Sequence, residues 1–60
     1  MNNYFSIVKK SQGKIESVVA ISENEERARK YASENSLDVV RINQKRFMWY
    51  SIGMRQEQIL

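Results

Sequence analysis

The chain has 60 residues and a formal net charge of +3, from ten basic and seven acidic side chains. It contains neither cysteine nor histidine, which excludes disulfide bonds and the cysteine–histidine zinc sites that stabilise many small domains. We therefore expect one domain over residues 1–60 that relies on tight packing or on oligomerisation. The polar N-terminus does not resemble a signal peptide, and no apolar run is long enough to cross a membrane. These features predict a cytoplasmic protein.

The first predicted element is a β-hairpin. Residues 4–10 and 14–21 are rich in β-branched and aromatic side chains, which favours two strands. The turn between them, over residues 11–13, contains Gly13, which can supply the positive φ of a tight hairpin. In the first strand, Phe5 and Ile7 should point to one side of the sheet and Tyr4, Ser6 and Val8 to the other.

A helix is predicted over residues 22–36. Ser22 and Glu25 have the spacing of a capping box, and Asn35 tolerates the left-handed conformation in which helices end. Three acid–base pairs follow at i,i+4 spacing, namely Glu23–Arg27, Glu25–Arg29 and Glu26–Lys30. The narrow apolar stripe of Ala28, Tyr31 and Ala32 suits a helix that lies close to a sheet.

Two more strands are predicted after the helix. Residues 38–42 are β-branched, a polar turn follows at residues 43–45, and the most apolar segment of the chain spans residues 46–54. For residues 55–60, a strand extension, a helical turn and a frayed end all remain open. The order ββαββ predicts an α+β domain, in which one helix packs on one face of a four-stranded, mostly antiparallel sheet.

That arrangement leaves a second sheet face that is not polar. In a fourth strand, Phe47 and Trp49 would share one side with Val39 and Arg41 of the third strand. Met48, Tyr50 and Ile52 would share the other side, and whichever side the helix does not cover stays exposed. Contiguous exposed apolar groups usually mark a contact surface, and Trp and Arg are enriched in binding hot spots. We predict a homodimeric interaction protein with a binding face of Val39, Arg41, Phe47 and Trp49, which meets either the second copy or another protein. The alternative is that Phe47 and Trp49 wrap the edge of a thin core.

Catalysis is the least supported class of function. General acid–base catalysis most often uses histidine, which is absent, and the serines have no evident partner base. No glycine-rich phosphate loop, metal-ligand cluster or cofactor motif is apparent. The sequence therefore predicts a non-enzymatic protein without a cofactor.

Nucleic-acid binding is the main alternative to protein binding. Lys9 and Lys10 adjoin the first predicted turn, and Lys45 and Arg46 adjoin the second. With aromatic side chains on a sheet face, they could bind a single strand by charge and stacking. The two turns should lie at opposite ends of the sheet, so the basic side chains would not form one patch.

Residues 18–42, VVAISENEERARKYASENSLDVVRI, followed by residues 47–55, FMWYSIGMR, resemble small ββαββ proteins of bacteriophages. The similarity lies in the strand that ends at a serine, in the helix core ARKYAS at residues 28–33, and in an aromatic hairpin after the helix. Some of these phage proteins are anti-CRISPR or other anti-defence inhibitors. The resemblance implies a stoichiometric inhibitor that binds a bacterial host protein or protein–nucleic-acid complex in the host cytoplasm. The N-terminal half also resembles ββαβ modules of some secretion-system membrane proteins.

Overall fold

A computed structural model describes residues 3–60 of the chain. The elements are β1 (Tyr4–Ser11), β2 (Lys14–Ser22), α1 (Glu25–Glu34), β3 (Asp38–Ile42) and α2 (Gln44–Gly53), followed by a 3-10 turn (Gln56–Gln58). Met1 and Asn2, which belong to the domain predicted over residues 1–60, lie outside the described residues. The α+β class is confirmed. The predicted ββαββ order with four strands and one helix is wrong, because residues 3–60 form three strands and two α-helices.

The sheet has the order β2-β1-β3, and both neighbouring pairs are antiparallel. β1 lies in the centre and is buried from Tyr4 to Val8. The hairpin between β1 and β2 closes as predicted, with positive φ at Gly13 (79°) and also at Gln12 (54°). Positive φ at two consecutive turn residues is typical of the tight hairpin turn whose twist fits that of the flanking strands. β2 carries irregularities opposite the Ile7/Val8 and Lys9/Lys10 steps of β1.

α1 forms where a helix was predicted, but it is shorter and has a different cap. The Asn24 side chain accepts a hydrogen bond from the Arg27 N–H at 3.0 Å, so the predicted capping box of Ser22 and Glu25 is wrong. Ser22 is the last residue of β2 and is fully buried, so its hydroxyl is used elsewhere. The left-handed residue after the helix is Ser36 (φ 55°) rather than Asn35.

The main core lies between α1 and one side of the sheet. It contains Phe5 and Ile7 of β1, Ala20 of β2, and Ala28 and Ala32 of α1. The two alanines carry short side chains, which lets the helix backbone approach the sheet closely. Tyr31, Leu37, Val39 and Leu60 pack around this cluster.

The other side of the sheet is covered by α2, which replaces the fourth strand predicted over residues 46–54. Tyr4, Ser6 and Val8 point to this side by alternation along β1 and are all buried. The Tyr4 and Phe47 rings lie 4.9 Å apart between centroids and are tilted by 47°. A fourth strand would have extended the sheet but left this side uncovered. Covering this side with a helix removes more apolar surface from water. This explains why the segment is helical despite its β-propensity.

The segment after α2 returns to the free edge of β2. Leu60 N–H donates to the Ile21 carbonyl at 2.8 Å, and Ile59 forms a parallel bridge with Ile21. The Gln58 side chain donates to the Val19 carbonyl at 2.8 Å. Residues 55–60, for which the sequence left three alternatives open, therefore form a helical turn and then one strand-like contact.

Candidate interaction surface on the second helix

α2 begins at Asn43, whose side chain accepts a hydrogen bond from the Arg46 N–H at 2.8 Å. Its first turn carries Lys45 and Arg46 and no acidic residue. This placement opposes the helix dipole, which favours anions at that end and typically costs about 0.3–1 kcal/mol for each cation. The first turn of α1, by contrast, carries Glu25 and Glu26. Folding alone therefore does not explain the two cations of α2.

The inward side of α2 follows the helical period. Phe47, Tyr50, Ser51 and Met54, spaced at i, i+3, i+4 and i+7, are each partly buried. The side chains between them face water. Phe47 is therefore a packing residue, in contact with Tyr4.

The opposite side of α2 exposes large apolar groups. The exposed fraction is 58% for Met48, 75% for Trp49 and 85% for Ile52. These residues are neighbours on the helix surface, since Ile52 lies four positions after Met48 and three after Trp49. Lys45 lies one turn before Trp49. We refer to Lys45, Met48, Trp49 and Ile52 as the outer face of α2.

Two shallow grooves flank the helix. The outer groove has a volume of ≈ 460 Å³ and is lined by Asn43, Lys45, Arg46, Trp49 and Tyr50. The sheet groove, of ≈ 320 Å³, lies between α2 and the side of the sheet that α2 covers. Its lining includes Ser6, Val8, Val18 and Val40 of the sheet, Arg46 and Tyr50 of α2, and Ile15 near the hairpin. Arg46, Tyr50 and Asn43 line both grooves, which therefore adjoin.

The structure does not bring the predicted binding face together. Val39 packs against the core on the α1 side of the sheet, whereas Phe47 lies on the opposite side against Tyr4. Arg41 is exposed and donates from Nη2 to Asn3 Oδ1 at 2.6 Å. Trp49 points outward from α2. The single face of Val39, Arg41, Phe47 and Trp49 depended on a fourth strand, and it is lost with that strand.

The predicted basic side chains are exposed and fall into two groups. Lys9 and Lys10 lie near the hairpin turn, while Lys45 and Arg46 lie in the first turn of α2. The pairing of Tyr4 with Ile42 places the start of α2 at the other end of β1.

The sequence left open an exposed row of Met48, Tyr50 and Ile52. The structure exposes Met48 and Ile52, on a helix and not on a strand, and partly buries Tyr50. Asn43 was the local signal for this helix, because an asparagine directly before the helix-favouring Gln44, Lys45 and Arg46 marks a helix start.

Within residues 3–60, no group of acidic side chains could hold a metal ion. No helix in the described part of the chain is long and apolar enough to cross a membrane. Comparison of the chain with protein-family models, with curated proteins and with solved structures found no match. Functional inference therefore depends on the geometry of the surface.

Proposed function

We propose that this chain is a non-enzymatic binding protein that docks on another protein through the outer face of α2. The observation that carries the proposal is the exposure of Met48, Trp49 and Ile52 side by side on one helix. The exposed part of these side chains gains no stability from burial, and contiguous exposed apolar groups usually mark a contact surface. A tryptophan at the centre of such a patch is the residue type most enriched in hot spots.

The mode of binding that fits this surface is a helix seated in an apolar groove of the partner. α2 is held on its inward side by the sheet, so its outer face is presented in a fixed orientation. Such preorganisation lowers the entropy that must be lost on association. The charge of α2 also constrains the partner, because residues 44–53 contain Lys45 and Arg46 and no carboxylate.

A homodimer would use the same surface in a different way. Two copies of α2 would bring apolar groups together, but neither copy offers an acidic residue of α2 to Lys45 or Arg46. A foreign partner with an apolar groove and an acidic rim satisfies both features. We therefore place the foreign partner first. Sedimentation equilibrium at micromolar concentration should give the monomer mass of 7.1 kDa, and a stable dimer mass would overturn this order.

The resemblance to phage proteins supports a further step, in which the partner is a bacterial defence protein that the chain blocks in the host cytoplasm. The aromatic hairpin that contributed to this resemblance is not formed, since its second strand is α2. The inhibitor proposal therefore rests on the resemblance of residues 18–42 and on the outer face of α2. Expression of the chain in a defence-carrying bacterium should restore plaque formation by a phage that the defence excludes.

The docking proposal can be tested with variants of the exposed residues. A partner recovered from nuclease-treated bacterial lysate should be purified and titrated by calorimetry. Trp49→Ala is expected to weaken binding by about 30-fold or more, as hot-spot substitutions do. Ile52→Ser should weaken it as well.

The matched control is Ile15→Ser. Ile15 is 54% exposed and lies near the hairpin, away from the outer face. Its substitution should leave the affinity unchanged, and all three variants should retain the wild-type melting temperature. Equal affinities of the wild type, Trp49→Ala and Ile52→Ser would refute the docking proposal.

A further inference from the structure

The outer groove beside α2 shares Lys45 and Trp49 with the outer face, but Arg46 and Tyr50 replace the apolar Met48 and Ile52. The outer groove combines two cations, Lys45 and Arg46, with two aromatic side chains, Trp49 and Tyr50. Neither groove is lined by an aspartate or a glutamate among the described residues. Cations beside aromatic rings, without carboxylates, favour a ligand that carries negative charge and flat rings together.

The grooves also connect the two basic groups of the molecule. Lys10 pairs with Ile15, which lines the far end of the sheet groove, so Lys10 lies on the same side of the sheet. The sheet groove therefore extends from Arg46 and Tyr50 toward the basic hairpin. Tyr4 and Lys10 are six positions apart along β1, which corresponds to roughly 20 Å. Asp38, opposite Val8, lies on this side at the edge of β3 but does not line either groove.

We propose that a short single-stranded nucleic acid binds along these grooves, beyond the protein docking described above. Arg46, Lys45 and Lys10 contact the phosphates, and the Trp49 and Tyr50 rings supply the surfaces on which bases stack. A continuous open track with cations along it fits a strand, whereas a compact anion would need an enclosed pocket. The aromatic platform lies on a helix flank, not on the sheet face that the sequence had suggested.

The structure offers an internal reporter for this proposal. Trp49 is the single tryptophan of the chain, and it lines the outer groove. A base that stacks on its ring should quench its fluorescence. Titration with the ten-nucleotide strand dT10 at low salt should therefore give saturable quenching of the Trp49 fluorescence. Heparin, which carries charge but no bases, should bind without this quenching.

The salt dependence gives a second, independent measurement. Three phosphate contacts predict that the logarithm of the affinity for dT10 falls against the logarithm of salt concentration with a slope of about −2. Lys45→Gln, Arg46→Gln and Lys10→Gln should each make that slope shallower by about 0.7, the contribution of one phosphate contact. Trp49→Ala, followed with fluorescein-labelled dT10, should lower the affinity by about 5- to 150-fold.

The matched control is Lys30→Gln, which removes the same charge from the exposed side of α1. It should leave the slope and the affinity unchanged. No binding of dT10 at low salt, quenching by heparin equal to that by dT10, or an equal loss in Lys30→Gln would each overturn the nucleic-acid site. Ile52→Ser separates the two proposals, because it should weaken the protein complex and leave dT10 binding intact. A failed dT10 titration together with an Ile52-dependent protein complex would refute the nucleic-acid site and leave the docking proposal standing.

Discussion

Ser22 shows how one small polar residue joins three parts of this molecule. Its hydroxyl accepts from the Asn24 N–H at 3.0 Å and lies within donor distance of the Asn24 and Leu60 carbonyls, at 3.1 and 3.3 Å. The single hydroxyl proton donates to one of these oxygens at a time. The residue therefore links the end of β2, the start of α1 and the C-terminal segment.

Ser22→Ala should lower the free energy of unfolding by about 1–3 kcal/mol, because it leaves polar backbone groups without their partner at a buried position. Urea denaturation would measure the loss. Ser17→Ala in the exposed part of β2 is the control and should change stability by no more than about 0.5 kcal/mol. Similar values for the two variants would show that the Ser22 hydroxyl contributes little.

At the scale of the element, α2 is the decisive feature, and its period can be tested by mutation. In a strand, Phe47 and Trp49 would share a side and respond alike. In the helix, Phe47 packs on Tyr4 while Trp49 faces water. Each residue of an α-helix adds about 100° of rotation, so the two positions from Phe47 to Trp49 place them about 200° apart, on opposite sides of α2.

Phe47→Ala should therefore cost about 1–3 kcal/mol of unfolding free energy, somewhat below a fully buried phenylalanine because Phe47 is only partly buried. Trp49→Ala should change it by about 0.5 kcal/mol or less. Thermal unfolding followed by circular dichroism would compare the two. Equal losses would contradict the helix and restore the predicted strand.

At the scale of the whole molecule, residues 59–60 pack against the core and against the edge of β2. The radius of gyration of 10.6 Å is that of a compact chain of this length, for which about 10.4 Å is expected. Leu60 packs against the core cluster, and its backbone bonds to Ile21 at the free edge of β2. The segment thus fills the core and shields part of a strand edge that could otherwise pair with another chain.

Leu60→Ala should lower the unfolding free energy by about 1–3 kcal/mol, since it removes apolar contacts from the core while the backbone bond to Ile21 stays. Guanidinium denaturation would measure the change. Glu57→Ala, at an exposed position whose ion pair with Arg55 is long at 3.8 Å, is the control and should be nearly neutral. An equal effect of both would mean that Leu60 does not contribute to the core.

The candidate site was predicted only in part by the sequence. Trp49, Lys45 and Arg46 were singled out by residue type, and all three line the outer groove. Val39 and Phe47 were assigned to the same surface by strand alternation, and the helix separated them. The prediction failed because this apolar run fits both periods. Phe47, Tyr50 and Met54 recur at helical spacing, while the apolar residues of the run also alternate as in a strand.

The sequence by itself determined the hairpin, α1 and β3, because turn chemistry, acid–base pairs at i,i+4 spacing and β-branched runs are local signals. It also showed that one helix could not cover both faces of the sheet. Only the tertiary structure decided how the second face is covered, with α2 across Tyr4, Ser6 and Val8 and the C-terminal segment along β2. The reason is physical: the conformation of residues 44–53 depends on apolar surface contributed by distant strands, and the helix-start signal at Asn43 does not by itself outweigh the β-propensity of the segment.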